Sequence, residues 1–127
     1  MIVYHATNAE PFARFDPAFI GSSTDDGHMG AGFYFSTDTK IKMSSRTLIT
    51  AKVTLQSPLT VKCTSWFVSK WKTVCAAIGL QCELRGQALT DELKKLGFDG
   101  VILDYSPLGY CHQEVMVIDA DNITILQ

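Results

Sequence analysis

Little in this chain would pull it toward a charged surface. Eleven Lys and Arg stand against thirteen Asp and Glu, a formal net charge of −2 over 127 residues. Such a balance offers no basic field to a nucleic acid backbone or an anionic membrane, so a nucleic-acid partner is not indicated. Cysteine is scarce as well. Cys63, Cys75, Cys82 and Cys111 show no CxxC spacing and no paired Cys/His arrangement of the kind that structural zinc uses, so no metal is expected. With no signal peptide ahead of Val3, the thiols are expected to be reduced, in a cytoplasmic protein. No apolar run approaches the roughly 18 residues of a membrane-spanning helix. The absence of repeats and linkers leaves one domain over residues 1–127, whose 46% apolar content suffices for a single core.

Within that domain, Ile2 to Ala6 reads as an opening strand. Pro11, Pro17 and the Phe12, Phe15, Phe19 cluster then suggest an irregular segment pinned by aromatics. Residues 21–30 are polar and glycine-rich, a loop expected to be mobile, from which Gly32 to Ser36 emerges as a short strand. Asp38 is placed to cap a helix running to about Leu48. Ile49 to Gln56 alternates apolar and polar residues without a miss, the period of a half-buried strand. Ser57-Pro58 breaks it, Leu59 to Cys63 resumes an extended segment, and Thr64 or Ser65 is expected to cap a helix. Phe67, Trp71, Val74, Cys75 and Ile78 would form its apolar stripe. A second helix, about Gln87 to Leu96, would present Leu89, Leu93 and Leu96 on one face and stop at Gly97. Strands at Val101–Asp104, Glu114–Ile118 and Ile123–Leu126 complete the chain, with turns at Ser106–Gly109 and Asp121-Asn122. Strands at both ends, helices in the middle and no regular βαβ alternation predict an α+β fold with mainly antiparallel pairing.

Three polar side chains stand out because each sits among β-forming residues. Glu114 shares a strand face with Met116 and Ile118, apolar neighbours that keep water from screening a carboxylate. Tyr34 lies between Phe33 and Phe35 after a Gly-Ala-Gly step, and its planar ring is suited to stacking on a flat ligand. Glycines at 30 and 32 allow a close backbone approach. His5, near the end of the first strand, can both donate and accept a hydrogen bond. Each has an ordinary alternative: a strand-edge Glu, a core Tyr, a structural His.

Together, Tyr4-His5-Ala6-Thr7, Gly30-Ala31-Gly32-Phe33-Tyr34-Phe35-Ser36, and Gln113-Glu114 through Asp119 with Asn122-Ile123 resemble the His-Tyr-Glu signature of ADP-ribosyltransferases of the diphtheria-toxin and poly(ADP-ribose) polymerase type. Phe12-x-x-Phe15-Asp16 and Gly97 to Ile102 are similar to compact transferase domains of phage and mobile-element proteins. The resemblance implies an ADP-ribosyltransferase-like fold, a mainly antiparallel split sheet with flanking helices. It implies NAD as co-substrate and mono-ADP-ribosylation of a macromolecular acceptor, a protein, by an effector acting in a host cytoplasm, an anti-CRISPR being one example. His5 would hold an NAD ribose, the Ala6 backbone the nicotinamide carboxamide, and Tyr34 the nicotinamide ring, with Thr7, Gly32 and Ser44 (or Ser45) completing the cofactor set and Glu114 catalytic.

The chain departs from the pattern in places. Ala6 replaces the family's Gly, no aromatic between Thr37 and Leu55 supplies a second stacking ring, and His112 stands where arginine-modifying members carry Gln or Glu. Residues 57–86 match no part of it, and their Trp66/Trp71 region is a candidate for target choice. Two other readings therefore stay open: a catalytically silent NAD-binding or interaction module, and an NAD glycohydrolase.

Overall fold

Alternation along the third strand sets the pattern of the whole sheet, with Ile49, Ala51 and Val53 buried on one face and Lys52 exposed on the other. The computed structural model describes residues 1–7, 29–38, 47–81 and 83–126. They form β1 (Ile2–Thr7), β2 (Phe33–Ser36), β3 (Thr47–Val53), β4 (Pro58–Lys62), α1 (Lys70–Ala77), α2 (Gly86–Lys95), β5 (Gly100–Asp104), β6 (Gln113–Val117) and β7 (Ile123–Ile125). Short 3-10 turns cover Ser106–Leu108 and Ala120–Asn122. The strands make one seven-stranded sheet in the order β4-β5-β6-β2-β1-β3-β7. Only the β4–β5 pair is parallel. The α+β class and mainly antiparallel pairing expected from the sequence are present. Among the described residues, no helix is long and apolar enough to cross a membrane.

Each face of the sheet has its own core. Val3, Phe35, Ile49, Ala51, Val115 and Val117 belong to one, and Val101, Leu103 and Met116 to the other. The second face is covered by the helices, through Val74 and Cys75 of α1 and Leu89 and Leu93 of α2. That helical cover lies over β4, β5 and β6. Farther along the sheet on the same face, Tyr4 and Thr50 are half-buried and Lys52 is exposed, so among the described residues the helical cover forms a ledge there.

Several expected boundaries move. Residues 39–46, most of the expected Asp38–Leu48 helix and Ser44 with it, lie outside the described residues, as do Phe12, Phe15 and Phe19. Leu48 is strand, paired opposite Ala6. β3 stops at Val53 and not at Gln56, because the Asp99 carboxylate accepts from the Gln56 and Ser57 amides at 2.7 and 3.1 Å and turns the chain toward β4. α1 begins at Lys70, not after Thr64 or Ser65. The Ser65 hydroxyl accepts from the Phe67 amide at 3.1 Å, and Trp66 is drawn onto Tyr105, so residues 66–68 stay bent. Phe67 is consequently 99% exposed and belongs to no stripe. Leu96 is exposed too, because α2 closes at Gly97 (φ +87°) in a Schellman turn. There the Phe98 amide donates to the Leu93 carbonyl, and Phe98 returns to the core in place of Leu96. The inward face of α2 uses Thr90 instead, whose hydroxyl donates to the Ala31 carbonyl at 2.8 Å. Met29, at the end of the expected loop, is fully buried.

Gly32, just before β2, lies close against β6. A Cβ there would lie 2.7 Å from the Val117 carbonyl oxygen and closer still to the Met116 sulfur. The sulfur ends a flexible side chain, but the carbonyl belongs to the ladder and cannot yield alone. Gly32→Ala is expected to cost about 1–3 kcal/mol of folding free energy, read as a lower urea midpoint at unchanged m-value.

Candidate active site

Strand register brings the three signature residues onto neighbouring strands. β2 pairs with β6 so that Ser36 faces Glu114 and Tyr34 faces Met116, while β1 pairs with β2 at Tyr4 opposite Ser36. Partners in a ladder share a sheet face, so Tyr4, Ser36, Tyr34 and Glu114 all lie on the helix-covered side. His5, one residue along, belongs to the opposite side with Val3 and Ile49, and its ring meets Phe35 edge-on at 5.7 Å.

His5 nevertheless reaches the seam. Continued past Tyr4–Ser36, the ladder would set Ala6 opposite Tyr34, yet the recorded β1–β2 pairing is that single position. The His5 Nδ1 lies 2.7 Å from the Tyr34 carbonyl oxygen. A carbonyl only accepts, so Nδ1 carries the proton and donates. Tyr34 and Glu114 thus share one face of the sheet, while His5 lies on the other and reaches β2 through the Tyr34 main-chain carbonyl. Ala6 sits where β1 and β2 splay apart, paired with Leu48 on its other side, and the Thr7 backbone pairs with Thr47.

Tyr34 is held at its hydroxyl, which donates to the Gly30 carbonyl and accepts from the Met29 amide at 2.9 Å. Gly30 has φ +110°, and a Cβ there would come 2.7 Å from the Thr90 hydroxyl. The phenol therefore fastens the chain entering β2, and the close approach made by Gly32 is to β6. These are structural uses for residues that sequence alone offered to a ligand.

Both oxygens of Glu114 are engaged. Oε2 accepts from the Lys70 ammonium at 2.5 Å and Oε1 from the Tyr105 hydroxyl at 3.1 Å. Tyr105 is buried and stacks on two rings, Trp66 at 5.2 Å and 13° and His112 at 5.1 Å and 27°, and Tyr110 meets both of those edge-on. Burial, then the Glu114 charge and the bond to it, push the Tyr105 phenol far above its ordinary value of 10.0, so it stays a donor. Burial with Glu114 nearby likewise raises the Cys63 thiol. Met116, expected to shield Glu114, is fully buried.

Beyond the Tyr4–Ser36 pair, away from the splay, lies a hollow of about 430 Å³ lined by Tyr4, Thr37, Asp38 and residues 109–112. Its floor is tied down where the Gln113 amide donates to the Thr37 hydroxyl at 2.8 Å. Glu114 thus stands between this hollow and the splay.

Lys70 and Tyr105 are the site residues that sequence reasoning missed, while Trp66, singled out for target choice, stacks on Tyr105. Tyr105 carried a signal: it directly follows Asp104, which pairs with Gln113, so a hairpin through Ser106–Gly109 brings it beside His112. Lys70 carried none, since no local period says that α1 crosses above the start of β6.

An absorbance titration tests this electrostatic arrangement. Tyr105, isolated as the difference between the wild type and Tyr105→Phe, is expected to ionise well above pH 10. Removing the neighbouring negative charge with Glu114→Gln is expected to lower that value, while burial keeps it above the ordinary phenol.

No family model, no curated protein and no solved structure matches this chain, so its assignment rests on the motifs and the geometry of the site.

Proposed function

We propose that the chain is an NAD-dependent mono-ADP-ribosyltransferase with the fold of the His-Tyr-Glu class. The observation that supports this best is that His5, Tyr34 and Glu114 stand on the adjacent strands β1, β2 and β6, with Tyr34 and Glu114 on one face and His5 bonded to the Tyr34 carbonyl. In the reaction, the bond between the ribose anomeric carbon and the nicotinamide nitrogen breaks and nicotinamide leaves with the electron pair. The Glu114 carboxylate stabilises the positive charge that develops on the ribose and accepts a hydrogen bond from its hydroxyl. The acceptor's nucleophile then bonds to the anomeric carbon and releases a proton.

His5, which donates from Nδ1 to the Tyr34 carbonyl, is assigned to an NAD ribose. The Ala6 backbone in the splay is assigned to the nicotinamide carboxamide, and the Tyr34 ring, anchored at its hydroxyl, to stacking on nicotinamide. Thr7 belongs to the same cofactor set. The acceptor is a protein in the cytoplasm of a host, in keeping with a phage or mobile-element effector.

One observation favours a second reading, a catalytically silent NAD-binding or interaction module. The Lys70 ammonium on Oε2 neutralises the carboxylate that the chemistry needs. This ion pair is part-exposed, 38% at Lys70 and 26% at Glu114, and such pairs contribute about 0–1 kcal/mol, so an incoming cationic group can displace it.

Incubation of the protein with labelled NAD and a host lysate separates the readings. Transfer predicts label on a discrete macromolecule, lost by about 10²–10³-fold in Glu114→Ala. Nicotinamide release without labelled product identifies a glycohydrolase. A wild type that binds NAD but neither transfers nor hydrolyses, with Lys70→Met equally inert, identifies the silent module.

A further inference from the structure

We infer that Tyr105, clamped by Trp66, is the positioning residue for Glu114, so that the segment unmatched by the transferase motifs orients the carboxylate those motifs supply. The inference rests on the proposed activity and extends it to residues outside the signature.

Its basis is the difference between the two groups that hold Glu114. Lys70 is a point charge on a flexible four-carbon stem and is part-exposed. Tyr105 has no such freedom. It is 4% exposed, its ring stacks on both Trp66 and His112, and Tyr110 meets each of those edge-on. A phenol so confined presents its hydroxyl from one direction, and a donor fixed in direction on Oε1 sets the plane of the carboxylate.

Orientation, not occlusion, is the consequence. A carboxylate has about four acceptor sites over its two oxygens, so one bond from Tyr105 leaves Oε1 able to accept from a ribose hydroxyl as well. Tyr105 touches neither substrate nor reacting atoms in this role. Trp66 acts at one remove, by keeping the phenol from tilting away. An aromatic residue 55% exposed gains little from burial, and the stack on Tyr105 accounts for its placement.

Two measurements on the full chain test this. The first is nicotinamide release from NAD. Tyr105→Phe keeps the ring and removes the hydroxyl, and is expected to lower kcat about tenfold at unchanged KM, the loss of one hydrogen bond to a charged group. Trp66→Ala is expected to act in the same direction, and Trp66→Phe, which restores a stacking ring, to recover most of the loss. An unchanged kcat in Tyr105→Phe overturns the inference, as does a Trp66→Phe variant no better than Trp66→Ala.

The second measurement needs no turnover: the carboxyl carbon resonance of Glu114, assigned by its absence in Glu114→Gln. It is expected to move in Tyr105→Phe and in Trp66→Ala. Should the wild type release no nicotinamide, the proposed activity fails and the resonance alone decides the positioning role. Movement then upholds it and constancy overturns it.

Discussion

The close approach of β2 to β6 over Gly32 is the constraint on which the rest of the structure depends. It fixes the register in which Ser36 faces Glu114 and Tyr34 faces Met116. Strand side chains alternate, so a slip of one residue would drive the Glu114 carboxylate into the core built on Val115 and Val117 and turn those valines toward the helices. An ionised carboxylate buried there without a partner costs several kcal/mol, which makes the slipped register uncompetitive. Gly100 reinforces the same register from the other side, since its absent Cβ would lie 2.5 Å from the Met116 carbonyl oxygen.

With the sheet in register, the position of the site follows from where the helical layer ends. Among the described residues, α1 and α2 cover β4, β5 and β6, and Lys70 at the start of α1 reaches Glu114. A carboxylate deeper under the helices would be desolvated and tend to protonate, while one farther out over β3 would be screened by water. At the ledge it keeps an apolar neighbour in Met116, a buried neutral donor in Tyr105 and an exchangeable cation in Lys70. The splay of β1 from β2 lies on one side of it and the hollow beside Tyr4 on the other. This placement suits the proposed NAD chemistry, which needs a charged group accessible to a ribose yet not fully hydrated.

Much of the framework was legible in the sequence, and the errors share a cause. The strands at both ends, the alternation through Ile49–Val53, the Gly97 stop and the turn at Ser106–Gly109 are local signals, written in periods of two or in residues that only certain turns accept. The expected stripe through Phe67 and the expected inward face through Leu96 failed because a tertiary contact outbid the local period. Trp66 went to Tyr105, and Phe98 closed the end of α2. The overlong strand to Gln56 failed for the same reason, since the capping carboxylate of Asp99 lies 43 residues away. At the site, the strands that carry His5, Tyr34 and Glu114 were readable, but the partners that engage these side chains were not.

What the sequence by itself determined is the set of strands and the residues each offers. It marks Glu114 beside apolar neighbours, Tyr34 among phenylalanines and His5 near the end of the first strand, because local periodicity alone assigns a side chain to a face of its own strand. Which faces coincide is a property of register between strands far apart in the chain. The tertiary structure alone decided that Tyr34 and Glu114 share a face while His5 comes to them through a carbonyl at the seam. It alone decided that Lys70 and Tyr105 converge on Glu114 from separate elements, because packing of α1 over the sheet, and no pattern along the chain, sets that distance.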